Sequence, residues 1–428
     1  MKLNKVKYFA MALSFLFGCT GIVTEIKAET IVPTVISKSE AWTPGNNPYV
    51  IDNNITIEEG VTLTIAPGVI INSFGFPIFV KGCIDAKGDP DAFINFNNTE
   101  LVFFSTTTSY NPATGKGLQF NYCNFTTARL SSFIQMRLVQ NAIRINHCVF
   151  TDILSPLFSV GPDSTKIWVN DSKFIGDKIR TGTVLTGMRS KSLLDMQNCT
   201  VHNYGSIGSA EVMIIKNCIL GGNKISPNIV FTQFARKAII SCNLIKNGGT
   251  TGVQCSNLAP GSKVEFINNE FDSLPTFFTL NCTGKYDTLV VRNNNFVRFS
   301  KASIDIIGCN NGAVAYTWLD FKENYWGTTD TTWLFNTMND NRSNPKIIYR
   351  INISNVLKAP VKPCWPGGSS AVGIGDLPMQ DNVTSLFPVP ATNKLTLATI
   401  NEVSLGTIYN IHGQMVLQGL SLFNGSTI

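Results

Sequence analysis

The residues that could do chemistry are dispersed, apart from one basic stretch. "GDKIRTGTVLTGMRSK", residues 176–191, carries Lys178, Arg180, Arg189 and Lys191, and Arg236 and Lys237 follow further along. With Trp168 ahead of them as a stacking platform, these cations have the make-up of a groove for an anionic glycan. The simpler reading, and the favoured one, is that they are ordinary outward side chains on strand faces. There they keep a surface soluble and its edges unpaired.

Other catalytic constellations are weak. Acidic residues stand singly, as Asp152, Asp171, Asp195, Glu265 and Asp305 do, and no acidic pair recurs at a fixed interval. Hydrolysis by paired carboxylates needs such a pair. Metal-assisted elimination needs clustered acidic Ca²⁺ ligands with a basic residue beside them. The histidines are His147, His202 and His412, and no C-x-x-C pair or histidine cluster offers a zinc site.

What must position these residues is a repeat. A six-residue pattern recurs as "FNYCNF" at 120, "INHCVF" at 145, "VNDSKF" at 169, "MQNCTV" at 196 and "IKNCIL" at 215. It continues as "ISCNLI" at 240, "FINNEF" at 266, "VRNNNF" at 291 and "FKENYW" at 321. The sixth-place residues, from Phe125 to Trp326, are spaced 19 to 30 residues apart, averaging about 25. That is a solenoid period. Long 3.6-residue periodicity is missing, while short runs such as "KIWV" and "TLVVR" are punctuated by Gly, Asn, Ser and Asp. The pattern predicts an all-β chain in which each 25-residue turn supplies three short strands of a right-handed parallel β-helix. Equivalent residues then stack about 4.8 Å apart. Asparagine suits a corner ladder because its amide both donates and accepts, and the large apolar residue at the sixth place points inward. His147 stands where other rungs carry Asn, so a corner role is favoured over a general base.

Eleven cysteines are present, ten of them after residue 28. An even number in an exported chain suggests disulfides. Yet Cys123, Cys148, Cys199 and Cys218 share the fourth place of the repeat, where Asn243, Asn269, Asn294 and Asn324 stand later. Cys255, Cys282 and Cys309 follow one another at intervals of 27. Both sets read as buried columns of free thiols packing as small hydrophobes. A disulfide between neighbours such as Cys123 and Cys148 is the other possibility.

The chain starts with Lys2, Lys5 and Lys7, an apolar run from Phe9 to Phe17 and then small residues, a secretory signal ending near Ala28. Cys19 in "LFGC" is a second-ranked lipid-anchor candidate. Without residues 1–28 the chain loses four lysines and one glutamate, so its net charge falls from +6 to +3. That balance is weak evidence for any polyanionic partner, and no nucleic-acid partner is expected. With 44% hydrophobic and 14% charged residues, the composition is that of a packed chain, not a disordered one.

"NNITIEEGVTLTIAPGVII" at 53–71 and "ENYWGTTD" at 323–330 resemble the first and last coils of the pectin-lyase-like β-helix proteins exported by Bacteroidetes. "KAPVKPCWPGGSSAVGIGDLPMQDN", 358–382, reads as a linker. Beyond it, Phe387-Pro388-Val389-Pro390 and Tyr409-Asn410-Ile411-His412-Gly413-Gln414 resemble the sorting domain of the type IX secretion system, a small β-sandwich. That domain's last hairpin and basic end do not precede Ile428, so a truncated sorting domain is expected. The resulting division is a signal peptide over 1–28, a β-helix over 29–357, a linker over 358–382 and a sorting domain over 383–428. The resemblance implies a secreted or outer-membrane-surface monomer that engages the type IX machinery. Members of the superfamily that hydrolyse pectins carry Gly-His-Gly and Arg-Ile-Lys motifs, neither of which occurs here. The expectation is therefore a non-catalytic adhesin or glycan-binding scaffold with polysaccharide as partner and no cofactor. The alternative is a divergent polysaccharide lyase or glycoside hydrolase, with Ca²⁺ implied only for the lyase.

Overall fold

The computed structural model describes residues 29–126, 136–151, 157–160, 164–176, 184–186, 191–208, 210–222, 225–232, 235–256, 258, 260–281, 286, 288–299, 303–308 and 316–367. Further on it describes the strands Ser385–Phe387, Thr396–Ala398, Ser404–Tyr409 and Met415–Leu422. The signal segment, Lys178, Arg180, Arg189, Cys282 and Cys309 lie outside the described residues.

The chain winds as a parallel β-solenoid. Sheet A runs from Thr30–Ile31 to Asn295–Phe299 in twelve strands, and sheet C from Glu40–Trp42 to Tyr349–Asn352 in thirteen. Sheet B is split into seven strands, Val35–Ile36 to Leu185–Thr186, and five, Ile229–Phe231 to Met338–Asn339. Among the described residues the break is crossed by a hydrogen bond from Val184 N–H to the Ser206 carbonyl at 3.0 Å and a bridge between Ile207 and Ile229. The break falls at the shortest spacing of the repeat, between Val201 and Leu220, where a rung lacks the residues for a full sheet B strand. The helix Thr331–Asn336 is capped by the Asp330 carboxylate, which accepts from the backbone of Thr332 and Trp333. Unpaired N–H groups at a helix start favour such an acceptor.

Each six-residue motif is the corner from sheet C into sheet A, and its places do different jobs. The third place is left-handed in every rung from Tyr122 to Glu323, with φ between 49° and 58°. Asparagine tolerates that backbone better than most residues, which is why Asn198, Asn217, Asn268 and Asn293 stand there. The fourth place points into the solenoid. Asn243 Nδ2 donates to Asn269 Oδ1 at 2.9 Å, and Asn269 and Asn294 continue the ladder to Asn324 at 3.0 Å each. Both jobs favour Asn for unrelated reasons, so the repeat is richer in Asn than either alone would make it.

The sixth-place residues form one inward stack. Phe125, Phe150 and Phe174 lie face to face at 4.8 and 5.0 Å, and Phe271, Phe296 and Trp326 continue it at 4.9 and 4.2 Å. All are buried. Offset stacking adds to the gain from removing each ring from water.

The thiol expectations need one correction. Cys123, Cys148, Cys199 and Cys218 are buried and free, as a thiol column requires. Of the second expected column only Cys255 lies among the described residues; it is buried and free and pairs in register with Phe231 and Leu280. Among the described residues a disulfide joins Cys242 to Cys364 rather than neighbours in the column. Cys364 lies in the Pro/Gly/Ser-rich segment. That segment is not unpaired throughout, because Val361 also exchanges two 2.8 Å hydrogen bonds with the Asn295 side chain.

Residues from Ser370 on form a separate unit. It contains two antiparallel pairs, Ser385–Phe387 with Thr396–Ala398 and Ser404–Tyr409 with Met415–Leu422.

Candidate functional site

Strand geometry sends alternate side chains of sheet C outward, and the register aligns them into columns. One column runs Arg144, Trp168, Asp195, Ile214, Ile239 and Glu265. The next, two residues earlier on each strand, contains Lys166, Leu193, Val212, Lys237 and Lys263. Thr288, Trp318 and Arg350 extend it toward the last rungs. Trp168 and Lys237 thus share one face. Lys191 and Arg236 lie at the corner where strands start. Lys191 is left-handed, and its backbone N–H is held by the Glu211 carboxylate. The N–H groups of Arg236 and Lys237 donate to the Glu211 carbonyl at 2.9 and 3.0 Å. Lys191, Arg236 and Lys237 are exposed.

Two cation–aromatic clusters mark this face. In the first, the Arg144 guanidinium lies 5.7 Å from the Tyr110 ring and donates to its hydroxyl at 3.1 Å, while Trp168 meets Tyr110 edge-on at 5.9 Å. In the second, the Arg350 guanidinium lies 5.0 Å from Tyr316 and 5.3 Å from Trp318 and donates to the Tyr316 hydroxyl at 2.9 Å. Tyr316 meets Trp318 edge-on at 5.4 Å, and Trp318 is 50% exposed. Neither arginine forms an ion pair among the described residues, whereas Arg292 is committed to Asp320 and Lys87 to Asp85. The chemistry on offer is recognition. Guanidinium and ammonium groups meet carboxylate or sulfate, and indole faces pack on apolar faces of a ligand.

A concave place lies elsewhere, at the corner leading from sheet A to sheet B. Two adjoining hollows of about 400 and 530 Å³ share Arg298 and Phe299, and Trp333 lines the larger. Arg298 grips Asp272 there through two hydrogen bonds, at 2.7 and 2.5 Å. Glu270, on the same sheet, has its carboxyl raised above the usual range by burial and by Asp272. Among the described residues, no three of His, Cys, Asp and Glu gather as metal ligands.

The sequence singled out Trp168, Lys191, Arg236 and Lys237 but missed Arg144, Lys166, Lys263, Trp318 and Arg350. Their alignment depends on rung-by-rung register, and both tyrosines precede sheet C strands without any motif. The alternation in "KIWV" around Trp168 was the available signal. Comparison with protein-family models, with curated proteins and with solved structures returned no match.

Proposed function

We propose that the protein is an exported scaffold that holds an anionic polysaccharide at the cell surface or in the medium without cleaving it. The reading includes a pectin-lyase-like solenoid, the amino-terminal signal and a type IX sorting domain in a Bacteroidetes cell. The observation that carries the binding role is the outer face of sheet C, where Arg144, Lys166, Lys237, Lys263 and Arg350 accompany Trp168 and Trp318. Repetition at one rung spacing suits a ligand that also repeats.

The test is a glycan array of the full chain, run beside assays for reducing ends and unsaturated products. Acidic glycans are expected to be retained, with binding that weakens as salt rises, and no products are expected. Trp168→Ala should weaken retention at least about threefold, the lower end for losing one aromatic contact to a cation or ring. Release of unsaturated or reducing products would instead establish the lyase or hydrolase alternative. Retention confined to neutral glycans would remove the role given to the cations.

A further inference from the structure

The two cation–aromatic clusters are near-copies built from unrelated stretches of sequence. In each, a tyrosine before a sheet C strand carries an arginine on its ring and bonds it through the hydroxyl, and a tryptophan stands edge-on to the same ring. The arginine and tryptophan sit on adjacent rungs in both: Arg144 pairs with Trp168, and Trp318 with Arg350. Six rung steps separate Trp168 from Trp318 through the register of sheet C. At about 4.8 Å per rung that is about 29 Å. Exposed Lys237 and Lys263 lie between. In the second cluster Arg342 approaches Trp318 to 6.0 Å but is paired with the Asp340 carboxylate, whereas Arg350 forms no ion pair among the described residues. The uncompensated positive charge there is that of Arg350.

We infer that the two clusters are paired clamps for a single carboxylated polysaccharide chain, which must be long enough to reach both before it binds tightly. This rests on the polysaccharide-binding reading above and adds its substrate class and a length requirement. Each tyrosine fixes the plane and position of its guanidinium, so little side-chain freedom is lost when a carboxylate arrives. The neighbouring indole supplies a flat wall for a sugar ring. A short oligomer occupies one clamp at a time. A chain spanning about 29 Å engages both, and the second contact becomes intramolecular. Linked contacts of this kind raise affinity by about 10²–10⁴-fold without any new interaction.

The experiment titrates full-length protein with uronic-acid oligomers, from the disaccharide upward to the polymer, with a neutral glucan series as control. The expected curve for the acidic series has weak, nearly constant affinity for short oligomers, then a rise of at least about 100-fold once the chain spans the clamps. Trp168→Ala and Trp318→Ala should each abolish the rise and leave weak binding at the remaining clamp. Arg144→Gln and Arg350→Gln should do the same, with circular dichroism confirming the fold. A smooth increase with length, or a rise that survives loss of either clamp, would overturn the paired-clamp inference while leaving polysaccharide binding standing. Absence of binding to every acidic oligomer and polymer would overturn both.

Discussion

The inward column at the corner between sheets C and A changes chemistry halfway along the solenoid. From Cys123 to Cys218 it is mostly sulfur, and from Asn243 to Asn324 it is amide. The backbone does not change, since the preceding residue is left-handed in both halves. Each half must solve the same problem, an inward N–H at the fourth place that water cannot reach. In the amide half the next rung's Oδ1 accepts it, at 3.0 Å from Asn243 and 2.9 Å from Asn269. In the sulfur half the acceptor varies. The Ser172 hydroxyl serves Cys148 at 3.0 Å, and Cys218 sulfur serves Cys199 at 3.4 Å. The first amide, Asn243, serves Cys218 at 2.8 Å. The thiol hydrogens also copy part of the amide's work, with Cys199 and Cys218 sulfurs 3.1 Å from carbonyl oxygens two residues earlier. The corner therefore demands a small inward acceptor, and the fold accepts whichever of amide, hydroxyl or sulfur fills the volume.

What the halves share should give the largest effect. The ring stack passes through both, so Phe150→Ala and Phe296→Ala should each cost about 3–5 kcal/mol, as large-to-small changes in closed cores do. Urea melts of both variants check this. A loss near zero at Phe150 with a full loss at Phe296 would mean that the sulfur half repacks where the amide half cannot.

The next effect separates the halves. Asn269→Ala removes the acceptor for the Asn243 backbone and side chain and the 2.8 Å donor to the Ile240 carbonyl. Buried groups left without partners cost about 1–3 kcal/mol each, so a loss of about 3 kcal/mol is expected after relaxation. Cys199→Ala removes weaker bonds and little volume, for about 1 kcal/mol. Equal losses would show that the column is held by shape alone.

Much of this is legible in the sequence, because stacking turns a linear period into a column. The sixth-place residues found the core, whereas the one short interval, between Val201 and Leu220, gave no expectation of the break in sheet B that falls there. Less legible was anything that depends on where a residue lies within a rung. The two asparagine places look alike in sequence, although one answers a backbone angle and the other a hydrogen-bond deficit. Cys242 occupies the left-handed third place, out of the thiol column, and its partner Cys364 lies in a stretch whose composition signals a linker. For the candidate face, Trp168 and Lys237 could be picked out as a ring and a charge on strands. Arg350 could not, since its closeness to Tyr316 is created by pairing residues 34 apart.

The last effect concerns pH, and it belongs to the sulfur half. Burial pushes the thiols of Cys123 and Cys199 well above the usual range, with Cys148 and Cys218 respectively reinforcing the shift. The folded value thus lies above the unfolded one, near 9.0. Below pH 9 both states hold the proton, and the stabilising contribution is fully present. As pH rises beyond it, the unfolded thiol ionises first, so the unfolded chain binds fewer protons and stability declines toward the folded value. Over that window each such thiol removes about 1.4 kcal/mol per pH unit. Urea melts from pH 8 to pH 10.5 should show this decline, and Cys199→Ala should make it shallower, whereas Asn269→Ala should shift the curve down without changing its slope. The same burial should leave Cys123, Cys148, Cys199 and Cys218 unlabelled by an alkylating reagent until the protein unfolds. A slope untouched by Cys199→Ala, or rapid labelling of the native column, would place these thiols in contact with water and end the equivalence of the two halves.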